Sequence, residues 1–161
     1  MLYIVATPIG NLSDLSFRAV ETLKNVEAIL CEDTRHSRFL LKHYGIDKPL
    51  ISLHQHTSEE KILGLLNKYQ ELAYISDAGT PGISDPGGKV VELAHKLNLP
   101  VSPIPGASAL ITAISVCGMP SDKFTFLGFM PHKGKQKVFN FIRDSIYITA
   151  FYENDGNQLE M

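Results

Sequence analysis

The chain has 161 residues, 44% of them hydrophobic and 20% charged, so it is long and apolar enough to bury a core and too apolar for disorder. Its net charge of −2 argues against a general binder of polyanions and leaves room only for local basic patches. Cys31 and Cys117 stand far apart in apolar surroundings, so buried, reduced thiols are expected rather than a disulfide framework or a metal site.

Leu2-Tyr3-Ile4-Val5 reads as a strand that opens through Ala6-Thr7-Pro8-Ile9-Gly10-Asn11-Leu12 into a helix over 16–25. Residues 27–31 predict a second strand and 34–43 a second helix, which Gly45 stops after Lys42-His43-Tyr44. A short strand near 49–53 precedes a helix near 58–69. There Ser58 caps a first turn holding Glu59 and Glu60, and Ile62, Leu65 and Leu66 recur at helical spacing. The run Leu72-Ala73-Tyr74-Ile75 leads through residues 76–87 to a helix near 86–97. A strand at 100–104 leads through Pro105-Gly106 to a helix at 107–117. That last helix is apolar on all sides and rich in small residues, which predicts that it is buried against the sheet. It is too short to cross a bilayer, and no basic segment ahead of a long apolar run opens the chain, so a cytoplasmic protein without membrane contact is expected.

Strands alternating with helices in this way predict an α/β fold, a mostly parallel sheet flanked by helices. Gly118 to Asp122 punctuates the chain, and the aromatic alternation of Phe124 to Phe129 starts a new strand. A basic segment from Pro131 to Lys137, a helix over 134–143 and a strand over 146–152 follow. We read 1–118 as one domain and 119–161 as the incomplete start of a second, because two strands and a helix do not close a core. The chain is therefore expected to be truncated at its C-terminal end.

The most informative stretch is Ser76-Asp77-Ala78-Gly79-Thr80-Pro81-Gly82-Ile83-Ser84-Asp85-Pro86-Gly87. Glycines let backbone approach a ligand and prolines stiffen the loop, although ordinary turn chemistry accounts for the same composition. In a parallel sheet this loop, the Pro8-Gly10 loop and the Pro105-Gly106 loop leave the same edge, which predicts one shared pocket. His54 and His56 alternate at a strand exit without a third ligand in sight, so a surface or structural role is expected.

Five ordered motifs carry a resemblance. They are 6–14, Cys31-Glu32-Asp33-Thr34-Arg35, 76–87, Ile104-Pro105-Gly106-Ala107-Ser108-Ala109 and Phe126-Leu127-Gly128-Phe129-Met130-Pro131. Over roughly 1–153 the chain resembles the tetrapyrrole methylase superfamily of S-adenosylmethionine-dependent methyltransferases. Within it the motifs are most similar to the branch that methylates a cytidine 2′-hydroxyl of 16S rRNA in the small ribosomal subunit. The resemblance implies two α/β domains with the cofactor between them; a homodimer is expected. After Phe151-Tyr152-Glu153 the pattern normally continues Ser-Pro and a basic residue, whereas this chain reads Asn154-Asp155-Gly156.

By resemblance, Pro8, Ile9 and Gly10 flank S-adenosylmethionine, Asp77 and Thr80 meet its polar parts, and Ser108 and Ala109 contact it from a helix start. The plainer reading makes Asp77 a turn residue and Ser108 a helix-start hydroxyl. Removing the proton of a ribose hydroxyl needs a base, and Asp33 and Glu153 are the candidates. The plainer reading of 32–35 is a capped helix start with a surface ion pair. Arg35 and Arg38 form one candidate RNA-binding cluster with His36 and Lys42; Lys133, Lys135 and Lys137 form another with His132. No metal is implied. The alternatives are a methylase of a small tetrapyrrole-like substrate and a non-catalytic cofactor-binding module. For a truncated chain the expectation is weak cofactor binding, no methylation and self-association through 119–161.

Overall fold

The structure is a computed structural model that describes residues 1–83, 85–129 and 147–150. Five apolar runs form strands: β1 (Leu2–Val5), β2 (Ala28–Cys31), β3 (Leu50–Ser52), β4 (Leu72–Ile75) and β5 (Val101–Ile104). They join one sheet in the order β3-β2-β4-β1-β5, every neighbouring pair parallel. All residues of β2 and β4 are buried, which is why both read as unbroken apolar runs rather than alternating ones. Pro103 lacks an N–H for a second ladder, and β5 accordingly takes an edge.

Helices α1 (Phe17–Asn25), α2 (Thr34–His43), α3 (Glu59–Lys68) and α4 (Gly87–Lys96) cover the sheet. Three of them start on a capping side chain. Ser16 Oγ accepts from Ala19 N at 3.1 Å, Asp33 Oδ1 from Arg35 N at 2.7 Å and Ser58 Oγ from Lys61 N at 3.3 Å. Gly45 N donates to Lys42 O at 3.1 Å and closes α2, as its position in the sequence predicts.

Successive strand residues face opposite sides of the sheet, so two cores form. On one side Val5, Ile29 and Ile75 pack with Leu23 of α1 and Leu40 and Leu41 of α2. On the other, Leu2, Leu30 and Tyr74 pack with Ile62 and Leu66 of α3 and Val90 and Leu93 of α4. Each such fully buried aliphatic side chain contributes about 1.5–3 kcal/mol relative to exposure.

The chain divides into two units, Met1–Ala109 and Leu110–Met161. α5 (Ala109–Val116) starts on the last residue of the first and runs on in the second; further on, β6 (Thr125–Phe129) pairs parallel with β7 (Tyr147–Ala150), Thr125 opposite Tyr147. The expectation that α5 is buried all round fails. Ile114 is its one buried residue, while Ile111 is 54% and Val116 75% exposed. An apolar composition shows that a helix suits covering, and the two strands described in its own unit offer too little surface to wrap it. Cys117, expected to be buried, is exposed for the same reason, since it follows that uncovered helix; Cys31 is buried in β2 as expected. The helix expected over 134–143 lies outside the described residues.

Candidate active site

β1 leads into α1 and β2 into α2 on one face of the sheet, whereas β4, which lies between them, leads into α4 on the other. Connections that part to opposite faces leave a crevice at the carboxyl ends of the strands, and that is where open α/β sheets take ligands. The loops after β1, β4 and β2 all emerge there.

The first two loops are locked together. Thr7 and Gly79 exchange backbone hydrogen bonds of 2.9 and 3.1 Å, and the buried Thr7 hydroxyl donates to Ser76 O at 3.2 Å. Gly79 holds a left-handed φ of +77°, and a Cβ there would lie 3.4 Å from Ile9 Cγ2 and 3.7 Å from Ala107 O. The loop after β5 joins them through Thr80 Oγ1, which donates to Ala107 O at 3.0 Å. Gly106 lies so close to the β1 exit that a Cβ on it would come within 2.9 Å of Ala6 Cβ. Ile9, Thr80 and Ala107 thus converge on Gly79, and one rigid cradle replaces three separate turns. Pro8 is buried in it, Ile9 and Ser108 are half-buried, and Gly10, Thr80 and Ala109 are exposed at its surface.

Asp77 links the cradle to the end of β2, its Oδ1 accepting from Asp33 N at 3.2 Å. The Asp33 carboxylate caps α2 and meets the Arg35 guanidinium at 3.5 Å. The Arg35 backbone N–H foremost, helped by that guanidinium, holds the Asp33 carboxyl below the usual carboxylate range. Arg35 and Arg38 stand exposed on α2, with Phe39, 68% exposed, beside them. Glu153, Lys133, Lys135 and Lys137 lie outside the described residues.

Three further groups that reading along the sequence did not single out, Glu32, Asp85 and Tyr74, gather at this edge, and His54, expected in a surface or structural role, stands with them. Glu32 is half-buried, and burial first, then the charges of Asp77 and Asp85, raise its pKa while His54 opposes the rise. Asp85 draws its own loop tight, accepting from Gly82 N at 2.8 Å and Gly87 N at 2.6 Å. His54 Nε2 lies 2.9 Å from Ser52 Oγ. The buried Tyr74 hydroxyl has no hydrogen-bond partner among the described residues, and burial with the nearby Asp85 and Glu32 pushes its pKa up. A cavity of 230 Å³ opens beside them, lined by His54, Thr57, Ile62, Asp85, Pro86 and Lys89 among others. The signal that finds Glu32 and Tyr74 is strand alternation: carried one residue past β2, it sets Glu32 on the same face as Leu30 and Tyr74. Among the described residues no three His, Cys, Asp or Glu side chains group to hold a metal ion.

Comparison with known proteins agrees with this architecture. Of solved structures, a diphthine synthase superposes with a TM-score of 0.72 at 13% identity, covering 96% of this chain and 65% of that one. A uroporphyrin-III-C-methyltransferase from Thermus thermophilus superposes with a TM-score of 0.54 at 21% identity over 74% of this chain and 52% of its own. Among curated sequences the chain is similar to proteins named ribosomal RNA small subunit methyltransferase I. That of Xylella fastidiosa is 54% identical over 82% of this chain and 50% of its own length. That of Haemophilus influenzae is 51% identical over 85% and 50%, and that of Pseudomonas aeruginosa 44% over 99% and 58%. The chain spans about half the length of the curated relatives it matches. The family profile described as Tetrapyrrole (Corrin/Porphyrin) Methylases matches residues 1–157, and the chain belongs to that family.

Proposed function

We propose that this chain serves the S-adenosylmethionine-dependent methylation of a cytidine 2′-hydroxyl in the 16S rRNA of the small ribosomal subunit. The observation that carries the reading is the cradle at the switch point, in a chain 44–54% identical to three proteins named for small-subunit ribosomal RNA methylation. The residues present fit an adenosyl ligand. The mouth of the cradle is made of small or backbone-exposing residues, and, its two chain neighbours aside, no atom of the described residues lies within 4 Å of where a Cβ on Gly10 would stand. S-adenosylmethionine, when bound, supplies a methyl group already activated on a sulfonium.

Pro8, Ile9 and Gly10 would hold one side of that ligand, Asp77 and Thr80 its polar parts, and Ser108 and Ala109 the remaining side. The tie between Thr80 Oγ1 and Ala107 O fixes the loops before the ligand arrives, so little ordering entropy is lost on binding. Alignment of donor and acceptor supplies roughly 7–11 kcal/mol in favourable cases, which is the share a rigid cradle is suited to provide. Asp33 and Glu153 are the sequence's candidates for the proton acceptor. For the RNA, Arg35 and Arg38 offer charge on α2, and the exposed ring of Phe39 offers a stacking face for an unpaired base. Lys133, Lys135 and Lys137 would extend the contact. A homodimer is the assembly we assign.

The test pairs calorimetric titration of S-adenosylmethionine with transfer of labelled methyl to small ribosomal subunits that lack the modification. Saturable binding and label in a cytidine ribose support the reading. Label in a corrinoid precursor instead of RNA overturns the substrate, and binding without any transfer favours a non-catalytic module.

A further inference from the structure

Four carboxylates crowd the carboxyl ends of β2 and β4, and three of them are already in use. Asp33 accepts from Arg35 N at 2.7 Å and faces the Arg35 guanidinium. Asp77 Oδ1 accepts from Asp33 N at 3.2 Å. Asp85 accepts from Gly82 N with both oxygens, at 3.0 and 2.8 Å, and from Gly87 N at 2.6 Å. The Glu32 carboxylate takes no hydrogen bond and no ion pair from any described residue. Its main chain is nevertheless fixed, because Ser52 Oγ donates to Glu32 O at 3.0 Å and also contacts His54 Nε2. A half-buried carboxylate on an anchored backbone, with its oxygens free, is poised to accept a proton from something that enters the crevice.

The geometry points to Glu32 as the carboxylate that takes the proton of the acceptor hydroxyl. This assignment rests on the proposed methyl transfer. The ribose O–H bond breaks and its proton passes to a Glu32 oxygen. The ribose oxygen bonds to the methyl carbon as the methyl–sulfur bond breaks, and that electron pair stays on sulfur. The negative carboxylate and the positive sulfonium are discharged together, leaving a carboxylic acid, a methyl ether and a neutral thioether. Burial first, then Asp77 and Asp85 on the β4 side, raises the proton affinity of Glu32, His54 on the β3 side lowers it, and Tyr74 lies close enough to feel its charge. A base with raised proton affinity serves transfer near neutrality better than Asp33, whose affinity the α2 cap reduces.

The experiment uses the full chain with Glu32→Gln, Glu32→Asp and Asp33→Asn. Single-turnover methyl transfer to small subunits is followed against pH, and S-adenosylmethionine binding is measured by calorimetry. Glu32→Gln should lose about 10²–10⁴ in rate and the acid limb of the pH profile while keeping cofactor affinity. Glu32→Asp should recover part of the rate, and Asp33→Asn should lose less than Glu32→Gln. A second readout does not depend on turnover. With S-adenosylhomocysteine present, the Glu32 carboxyl carbon resonance should shift on adding a cytidine oligoribonucleotide and stay in place with its 2′-deoxycytidine counterpart. Undiminished transfer by Glu32→Gln, a larger loss in Asp33→Asn, or an equal response to both oligonucleotides overturns the assignment alone. No transfer to RNA by the wild-type chain overturns the reading of function and the assignment with it.

Discussion

Asp77 joins two strand ends through one oxygen, so its replacement separates ligand contact from scaffold. Asp77→Ala removes the acceptor of Asp33 N–H as well as any contact to the cofactor, and cofactor affinity should fall by about 1–3 kcal/mol in calorimetry. Asp77→Asn keeps an acceptor oxygen for Asp33 N and should lose less. Asp33 and Glu32, adjacent in sequence, should oppose each other in pH dependence. The Asp33 carboxyl is held low in the folded chain, so its stabilising effect is complete above about pH 4 and lost as pH falls through its lowered pKa. Glu32 is held high, so the folded chain binds its proton first and stability falls as pH rises through that raised value. In urea denaturation across pH, Asp33→Asn should flatten the acid side. Glu32→Gln should raise stability at neutral pH and change nothing well below pH ~4.

At the scale of elements, two glycines should respond to the same substitution with opposite sign. Gly106→Ala drives a methyl to within 2.9 Å of Ala6 Cβ and should cost about 1–3 kcal/mol in urea denaturation, because Ala6 N donates to Ile104 O and holds the two strand exits together. Gly64 lies inside α3 with open space where a Cβ would go, so Gly64→Ala should stabilise by about 0.5–1 kcal/mol. The helices and strands of the first unit were legible in the sequence because their signals are local: apolar runs, Ser58 and the 32–35 segment as capped helix starts, and glycines and prolines between them. The cradle was legible for the same reason, since each loop follows its own strand. The special position of Glu32 was not legible. It depends on which neighbouring carboxylates the caps and loops consume, and Asp85 becomes committed only when Gly82 and Gly87 fold around it. The exposure of α5 was hidden too, because composition records what a helix suits and not what surrounds it.

For the whole molecule, the large apolar side chains left exposed between Ile111 and Phe124 are the main liability. Ile111, Val116, Met119 and Phe124 are 41–75% exposed, and such surface favours association. Light scattering should find mass rising with protein concentration, and Val116→Lys should reduce the rise; a concentration-independent monomer would contradict this. The strand order has a kinetic consequence as well. During synthesis β1 emerges first, yet its sheet partners are β4 and β5, Leu2 pairing with Leu72 and with Val101. β2 and β3 pair with each other across a single helix. The strand made earliest therefore waits, apolar and unpaired, until most of the first unit has left the ribosome, and its docking is the slow, non-local closure of this fold. Because the Thr7–Gly79 link forms only with that closure, the cradle is completed at the end of folding rather than by degrees. In pulsed hydrogen exchange during refolding, the amides of β2 and β3 should gain protection before those of β1.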